Sequence, residues 1–216
     1  MAKTAAEKLV STFIASCLCL DTMAILSIAV SLVTPLWQVV TLVDRRQESF
    51  GGEGEKIFSG LADPVNKEDK LYPAVLHFDH CTTALTSLLL LGAAIIMGTW
   101  DIIFSKGSFN SSDKIHAAGT LTSTSAAFAT FGGLFVFYEN ALRVVYALWL
   151  LQPDIVRDSY LGYSFWFAFA GFCFFLGSSF LHMLCWLISW CSRGPLKAKT
   201  DCGNGDKIEH VKYFVY

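Results

Sequence analysis

The chain has 216 residues, of which 54% are hydrophobic and only 16% are charged. This leaves too little polar surface to cover a soluble globular protein, so the composition excludes an ordinary soluble domain. We therefore expect lipid to surround most of the chain.

Four stretches are long and apolar enough to cross a bilayer, whose roughly 30 Å hydrocarbon core needs about 20 helical residues. They are Leu9 to Leu36, Cys81 to Ile103, Ile115 to at least Phe137, and Tyr163 to Trp190. The five prolines lie outside these stretches or at their edges, which supports the boundaries because proline disrupts a helix interior. We predict an all-α membrane protein in which residues 1–216 form one tetraspan domain, a four-helix transmembrane bundle.

The first stretch follows two lysines and contains a sequence around Cys17 that resembles a lipoprotein acylation site. Its apolar run continues for about 20 residues beyond Cys17, as a spanning helix requires. We therefore interpret it as a span and not as a cleaved signal.

Four spans place both termini on one side of the membrane. The N-terminus, the loop Ser105 to Lys114 and the tail from Cys191 carry nine Lys and Arg, whereas the loop Gln38 to His80 and the segment Glu139 to Gly162 carry seven. Because cytoplasmic segments are enriched in Lys and Arg, we predict cytoplasmic termini in a multi-pass protein of the plasma membrane. Asn110 begins a glycosylation sequence that would then lie in the cytoplasm, so a glycan there would contradict this orientation.

None of the seven cysteines lies in the body of either predicted outer segment, so we expect no stabilising extracellular disulfide. Cys191, directly after the fourth span, is a candidate palmitoylation site, and an unmodified thiol is the alternative.

The third span is rich in small residues, and Gly119, Ser123 and Ala127 recur every four positions along one helix face. Small side chains let helix backbones approach closely in lipid, so we predict that this span packs as the buried central helix. The phenylalanine-rich fourth span would face lipid or a partner.

The third helix is predicted to continue beyond the membrane, because no proline occurs from Ala117 to Leu151. An i,i+4 ion pair between Glu139 and Arg143 suits an exposed helix. The apolar section Val144 to Leu151 then either packs against the first outer loop or forms an interface. The candidate outer interface residues are Glu139, Arg143, Tyr146 and Trp149.

The first outer loop contains short apolar runs at Val39 to Val43 and Leu71 to Leu76. Clustered Val, Leu and Thr favour strands, so these runs are predicted to pair as a small β-sheet. The glycine-containing middle of the loop is predicted as a turn or mobile segment.

Short motifs along the chain resemble the claudin and peripheral-myelin-protein superfamily. They are Thr34-Pro35-Leu36-Trp37-Gln38-Val39-Val40 at the end of the first span, Phe137 to Arg143 after the third, and Gly162-Tyr163-Ser164-Phe165 before the fourth. The nearest resemblance is to the nematode Clc-like group. The family-motif residues are Thr34, Pro35, Trp37 and Gln38.

The resemblance implies a left-handed bundle with a small extracellular sheet, and a role in cell junctions or as an auxiliary subunit of a channel. It does not extend to the disulfide of claudins. The first outer loop contains Trp37 but neither the Gly-Leu-Trp sequence nor the two cysteines of the claudin pattern. A disulfide-pinned sheet and a claudin-type pore are therefore not implied.

Asp21 lies deep in the first span, where an ionisable group is costly and is by default a candidate functional residue. His182 lies at a similar depth in the fourth span and is its candidate partner. The alternative is that Asp21 is protonated, or hydrogen-bonds Ser or Thr of the third span, and so fixes helix register. Asp101, near the end of the second span, is expected to contact water.

His77-Phe78-Asp79-His80 offers metal-binding side chains, but a structural zinc site usually needs four ligands. We interpret this sequence as an interfacial anchor of the second span. The sequence contains no catalytic triad motif, phosphate loop or metal-hydrolase motif. We therefore predict a non-catalytic protein and assign no cofactor and no metal site.

The last residues, Phe214, Val215 and Tyr216, have the form of a PDZ ligand, and an ordinary tail is the alternative. The predicted partners are the lipid bilayer, such a PDZ scaffold, and other membrane proteins, whether another copy, a junction partner or a channel subunit, with no nucleic acid. The predicted function is protein interaction at cell contacts or junctions. The alternative is an auxiliary subunit that modulates the gating or trafficking of an ion channel or receptor in the same membrane.

Overall fold

The computed structural model describes residues 5–34, 36–42, 55–59, 74–107, 113–151 and 156–192. Within them it has four helices, α1 (Ala5–Val33), α2 (Ala74–Gly107), α3 (Asp113–Leu151) and α4 (Tyr163–Ser192), and three strands, β1 (Gln38–Leu42), β2 (Glu55–Ser59) and β3 (Val156–Leu161). All four helices are long and apolar enough to cross a membrane. The predicted multi-pass membrane architecture is therefore confirmed.

The helix boundaries differ from the predicted ones where local sequence rules outweigh hydrophobicity. α1 ends at Val33 instead of Leu36, because Pro35 disfavours helix at the residue before it. α2 begins at Ala74, directly after Pro73 and well before the predicted Cys81, since proline is compatible with the start of a helix. α3 ends at Leu151, just before Gln152-Pro153, as the sequence predicts.

The four helices form a ring in chain order. Extensive interfaces join α1 with α4, α2 with α3 and α3 with α4, and a smaller interface joins α1 with α2. α3 has the largest buried share of the four spans, as its small residues predict. It nevertheless packs on two main neighbours like the other helices, so the prediction of a central helix is wrong.

Aromatic residues of α4 divide between the core and the surface. Phe165 and Phe175 are buried, whereas Trp166, Phe180 and Trp190 are exposed on the outer surface of the bundle. In a bundle that spans a membrane, these exposed residues would contact lipid or a partner. Contact with hydrocarbon costs apolar side chains no free energy.

Strand β1 is the centre of a three-stranded antiparallel sheet with the order β2-β1-β3. Gln38 lies opposite Ser59 of β2 and Leu161 of β3. The predicted pairing of Val39–Val43 with Leu71–Leu76 is wrong in its partner: the end of the second run belongs to helix α2, and the actual partners are a charged segment in the middle of the loop and a segment before α4. In these two partner strands, backbone hydrogen bonds to β1 decide the pairing more than the hydrophobicity of the side chains does.

Trp37 joins the sheet to the helices, because it lies between the end of α1 and the start of β1. Its side chain is fully buried, and its indole Nε1 donates a hydrogen bond of 2.8 Å to the carbonyl of Ser31. The ring centroid lies 4.9 Å from that of Phe137 in α3 and 6.4 Å from that of Phe165 in α4. One aromatic side chain therefore contacts three of the four helices.

Residues next to Trp37 attach the start of α4 to the end of α1. Ser164 donates a 2.7 Å hydrogen bond to the hydroxyl of Thr34, and the backbone amides of Gly162 and Ser164 donate to the carbonyls of Trp37 and Leu36. These bonds satisfy amides that a helix N-terminus otherwise leaves without a partner. A Cβ at Gly162 would collide with the Leu36 carbonyl, so this close approach requires glycine.

Gln38, the residue after Trp37, fixes the sheet against the extended third helix. Its side-chain amide donates to the carbonyl of Ala141 at 3.2 Å and to the hydroxyl of Ser159 at 3.3 Å. Because the amide is buried, its N–H groups are removed from water, and the two protein acceptors take the place of water. Pro35 lies outside the described residues.

Replacing Trp37 is expected to destabilise the bundle more than any change at its lipid surface. Trp37→Ala should cost about 3–5 kcal/mol, because it leaves a cavity between three helices. Trp37→Phe should cost about 1 kcal/mol, mainly through the lost indole hydrogen bond. The measurement is the apparent melting temperature in detergent, with Trp190→Ala, a substitution of an exposed residue, as the matched control. Equal melting temperatures for Trp37→Ala and the control would contradict the role of Trp37.

Candidate functional site

Three buried ionisable side chains from three different helices meet inside the bundle. Asp21 of α1, Asp101 of α2 and His182 of α4 each offer one oxygen or nitrogen atom, and these atoms lie within 4.8 Å of one another. Each side chain is at most 1% exposed. We call these three residues the polar cluster.

Hydroxyl groups hold two members of the polar cluster in place. His182 Nε2 lies 3.5 Å from Asp101 Oδ1 and 3.2 Å from the hydroxyl of Ser105. Thr122 of α3 donates a 3.0 Å hydrogen bond to the same Asp101 oxygen. All four helices therefore contribute to the environment of the cluster, α3 through a residue next to its small-residue face.

Several polar atoms of the polar cluster have no hydrogen-bond partner among the residues that the structure describes. They are both carboxylate oxygens of Asp21, Asp101 Oδ2 and His182 Nδ1. The nearby hydroxyl of Ser178, one turn before His182 in α4, is also buried without a partner in this part of the chain. Leaving buried polar atoms unsatisfied is expensive, so such a concentration of them in one place calls for a ligand or shared protons.

Repulsion between the two carboxylates adds to this cost when both are ionised. At a separation of 4.8 Å or less, two unit charges repel by about 3–4 kcal/mol at an effective dielectric constant of about 20. A positive charge between them, from protons, an imidazolium or a metal ion, removes this repulsion. Chemically, the polar cluster is thus a cation-binding or proton-holding arrangement.

Gly119 of α3 gives the polar cluster its space. A Cβ at this position would lie 2.9 Å from His182 Cε1 and 3.2 Å from Asp101 Oδ1. Gly119, Ser123 and Ala127 are all buried on the face that the sequence predicts. The first of them contacts the cluster, Ser123 donates to the Phe175 carbonyl at 3.4 Å, and Ala127 belongs to the core.

A second feature lies on the sheet side of the bundle, where α3 and the first turns of α2 extend beyond α1 and α4. Trp37 packs against Phe137, so Phe137 marks the level at which α1 ends. From there α3 continues to Leu151, which is about four turns or about 21 Å. The helix is therefore longer than the bilayer requires, as the sequence predicts.

One face of this extension is apolar and exposed. The residues on it are Leu142, Tyr146, Trp149 and Leu150, each at least half exposed. Their spacing of three, four and seven positions places them on one side of a helix. We call them the α3 stripe; Asn140, Ala141 and Val144 are buried on the other side.

A third feature is an apolar groove between α3 and α4 on the outer surface of the spanning region. Its volume is about 240 Å³, and it is lined by Ala127, Phe128, Phe131, Phe172 and Leu176. We call it the α3–α4 groove.

The predicted site residues are distributed over these features. Asp21 and His182 share the polar cluster, although the short contact of His182 is with Asp101. The prediction that Asp101 contacts water is wrong, because its side chain turns into the bundle and is fully buried. Tyr146 and Trp149 lie in the α3 stripe, and Glu139 and Arg143 form an exposed ion pair of 3.8 Å beside it.

The remaining predictions concern the end of α4 and the tail. Cys191 is a free, exposed thiol in the last turn of α4. Phe214, Val215 and Tyr216 lie outside the described residues. The side chains of His77 to His80 also lie outside the described set, although the segment itself belongs to α2.

Asp101 is the member of the polar cluster that sequence reasoning missed, and Ser105 and Thr122 were missed with it. A usable signal existed: Asp101 and Ser105 are four residues apart, on one face of a helix. Only the packing of the helices brings that face together with the faces of Asp21 and His182.

No protein-family model and no curated protein matches this chain.

Adding a methyl group at Gly119 is expected to push the polar cluster apart. Gly119→Ala should lower the free energy of unfolding by about 1–3 kcal/mol, because the space is already filled by His182 and Asp101. Gly92→Ala is the matched control, since a Cβ there meets nothing within 4 Å. It should be neutral or stabilise α2 by up to about 1 kcal/mol through helix propensity. The measurement is the melting temperature of both variants in detergent, and identical values would contradict close packing around the cluster.

Proposed function

We propose that this protein is a non-catalytic, claudin-like interaction protein of the plasma membrane that acts at contacts between cells. The termini lie in the cytoplasm, and the sheet with the α3 stripe faces the outside. The partner is another copy of the chain, or a related protein, in the membrane of the neighbouring cell.

The observation that carries this proposal is the α3 stripe. Tyr146 is 62% exposed, Trp149 54% and Leu150 59%, and the last two lie beyond the spanning segment of α3, which ends at Ala147. Exposed apolar side chains in a row at and beyond the end of a span indicate a protein interface, and Tyr and Trp are enriched at the centres of such interfaces.

Rigid attachment of this surface also supports an adhesive role. The extension packs against the sheet through buried residues, and Gln38 ties β1 to both α3 and β3. The sheet in turn is fixed to three helices by Trp37. A surface held in this way loses little conformational freedom when it binds a partner, which favours affinity.

The α3–α4 groove favours the second candidate function, an auxiliary subunit of a channel or receptor in the same membrane. All five side chains that line it are apolar, three of them phenylalanine. A groove of this kind at the lipid-facing surface suits a helix side chain of a partner, because close packing drives helix association in lipid. Cys191, if palmitoylated, would add an anchor at the opposite side.

Contact enrichment in a mixed culture tests the first function. Tagged protein is expressed in part of a population of cells that lack junctions, and fluorescence is compared at contacts between two expressing cells, contacts with a non-expressing cell, and free membrane. We expect enrichment between two expressing cells beyond the doubling that two overlapping membranes give, and none at mixed contacts.

The double variant Tyr146→Ser, Trp149→Ser should abolish this enrichment at unchanged surface level. Trp190→Ser, an equally exposed aromatic residue at the far end of α4, is the matched control and should retain it. Enrichment that survives in the double variant would contradict the role of the stripe. A uniform surface signal of the unaltered protein would contradict adhesion and favour the auxiliary subunit.

A further inference from the structure

Both the donor atoms and the spacing of the polar cluster suit a metal ion. We propose that Asp21, Asp101 and His182 bind a divalent transition-metal ion, with zinc as the ion of choice, inside the transmembrane bundle. This site is independent of the proposed function in cell contacts, which rests on the opposite end of the molecule.

The donor set is the first argument. Imidazole nitrogen and carboxylate oxygen are standard zinc ligands, and three protein ligands with one further position form a common zinc site. Metal ions that prefer oxygen alone, such as magnesium and calcium, do not need the histidine. The three donors come from α1, α2 and α4, so an ion between them would also bridge three helices.

Distances within the polar cluster are the second argument. Tetrahedral zinc with ligands at about 2.0–2.1 Å has its donor atoms separated by about 3.4 Å. The His182 Nε2 to Asp101 Oδ1 distance is 3.5 Å, and the donor atom of Asp21 lies within 4.8 Å of the others. A small side-chain movement of Asp21 is therefore enough to complete the arrangement.

The unpartnered atoms are the third and independent argument. Both oxygens of Asp21, at 0% exposure, have no hydrogen-bond partner in the part of the chain that the structure describes. The hydroxyls of Ser123 and Ser178 are close enough to interact with the Asp21 carboxylate, but neither makes a hydrogen bond of standard geometry to it among the described residues, as a carboxylate that merely fixed helix register would do. The buried hydroxyl of Ser178, which also lacks a partner there, is available for the fourth position or for a ligated water.

Supporting contacts around the donors agree with a metal site. The Ser105 hydroxyl contacts His182 Nε2, the nitrogen that would bind the ion, and would give up this contact when the ion binds. Thr122 donates to the Asp101 carboxylate from outside the three ligands and orients it. Such second contacts fix the orientation of ligands and raise metal affinity. Gly119 leaves the space above His182 and Asp101 clear of any side-chain carbon.

Access to the site is from the end of the bundle opposite to the sheet. Asp101 lies about one and a half turns from exposed Lys106, near the end of its span. Asp21 is deeper in its own span, so the ion would enter past Ser105 and His182. In the orientation proposed above, this is the cytoplasmic side.

Metal content and cobalt spectroscopy of the full-length protein test the site. Protein purified in detergent is stripped of metal with a chelator, reloaded with zinc and freed of excess zinc. Elemental mass spectrometry then gives the number of zinc ions per chain. We expect about one zinc ion per chain in the unaltered protein, as for a three-ligand site. Asp21→Asn and Asp101→Asn keep the shape of the side chain, and His182→Gln keeps a polar side chain of similar size. Each should reduce the zinc content at least fivefold.

Asp158→Asn, which alters an exposed aspartate in β3, is the matched control and should keep the metal. Less than stoichiometric zinc in the unaltered protein would overturn the proposal and leave shared protons as the neutralising charge. Zinc retained in all three cluster variants would also overturn it, because the ion would then be bound elsewhere.

Cobalt(II) provides a readout that does not depend on the variants being stable. Bound to the unaltered protein in place of zinc, it should give the visible absorption of a four- or five-coordinate ion with nitrogen and oxygen ligands. A strong near-ultraviolet thiolate-to-cobalt band would overturn the proposal, since the polar cluster contains no cysteine. The weak spectrum of a six-coordinate, water-ligated ion would overturn it as well.

Discussion

The burial of Trp37 between α1, α3 and α4 is the contact on which the arrangement of the molecule depends. A bundle in lipid has no hydrophobic drive for helix pairing, so shape and hydrogen bonds must define which helices meet and at what height. The indole does both, through its ring contacts and its bond to the Ser31 carbonyl. Because β1 begins at the next residue, the same side chain also fixes the sheet, and with it the α3 stripe.

The polar cluster imposes the opposite kind of constraint on the other end of the bundle. Trp37 stabilises the fold by filling space, whereas Asp21, Asp101 and His182 are costly to bury and persist only if their charges are compensated. The two features divide the molecule into a sheet side, where apolar residues are exposed, and an opposite side, where polar residues are buried. These two features are the basis of the two proposed binding functions, one for a protein and one for a cation.

Hydrophobic length was sufficient to predict the four spans, and the lack of proline predicted the extension of α3 to Leu151. The strand partners of β1 were not predictable in this way, because β2 and β3 are held by backbone hydrogen bonds and carry no hydrophobic pattern that distinguishes them from loop. Asp101 was misjudged for a related reason. Its position near a helix end indicates contact with water, but the direction of its side chain is decided by the neighbouring helices, whose packing a single sequence does not reveal.

Glycosylation mapping tests most directly the central claim that the sheet side of the bundle faces the outside of the cell. The unaltered protein carries a sequon at Asn110, between α2 and α3, and Gln47→Asn creates a second one with Glu48 and Ser49, between β1 and β2. The account predicts that an endoglycosidase reduces the apparent mass of the Gln47→Asn variant and leaves that of the unaltered protein unchanged. A glycan on the unaltered protein that Asn110→Gln removes would contradict the account, because the sheet and the α3 stripe would then face the cytoplasm.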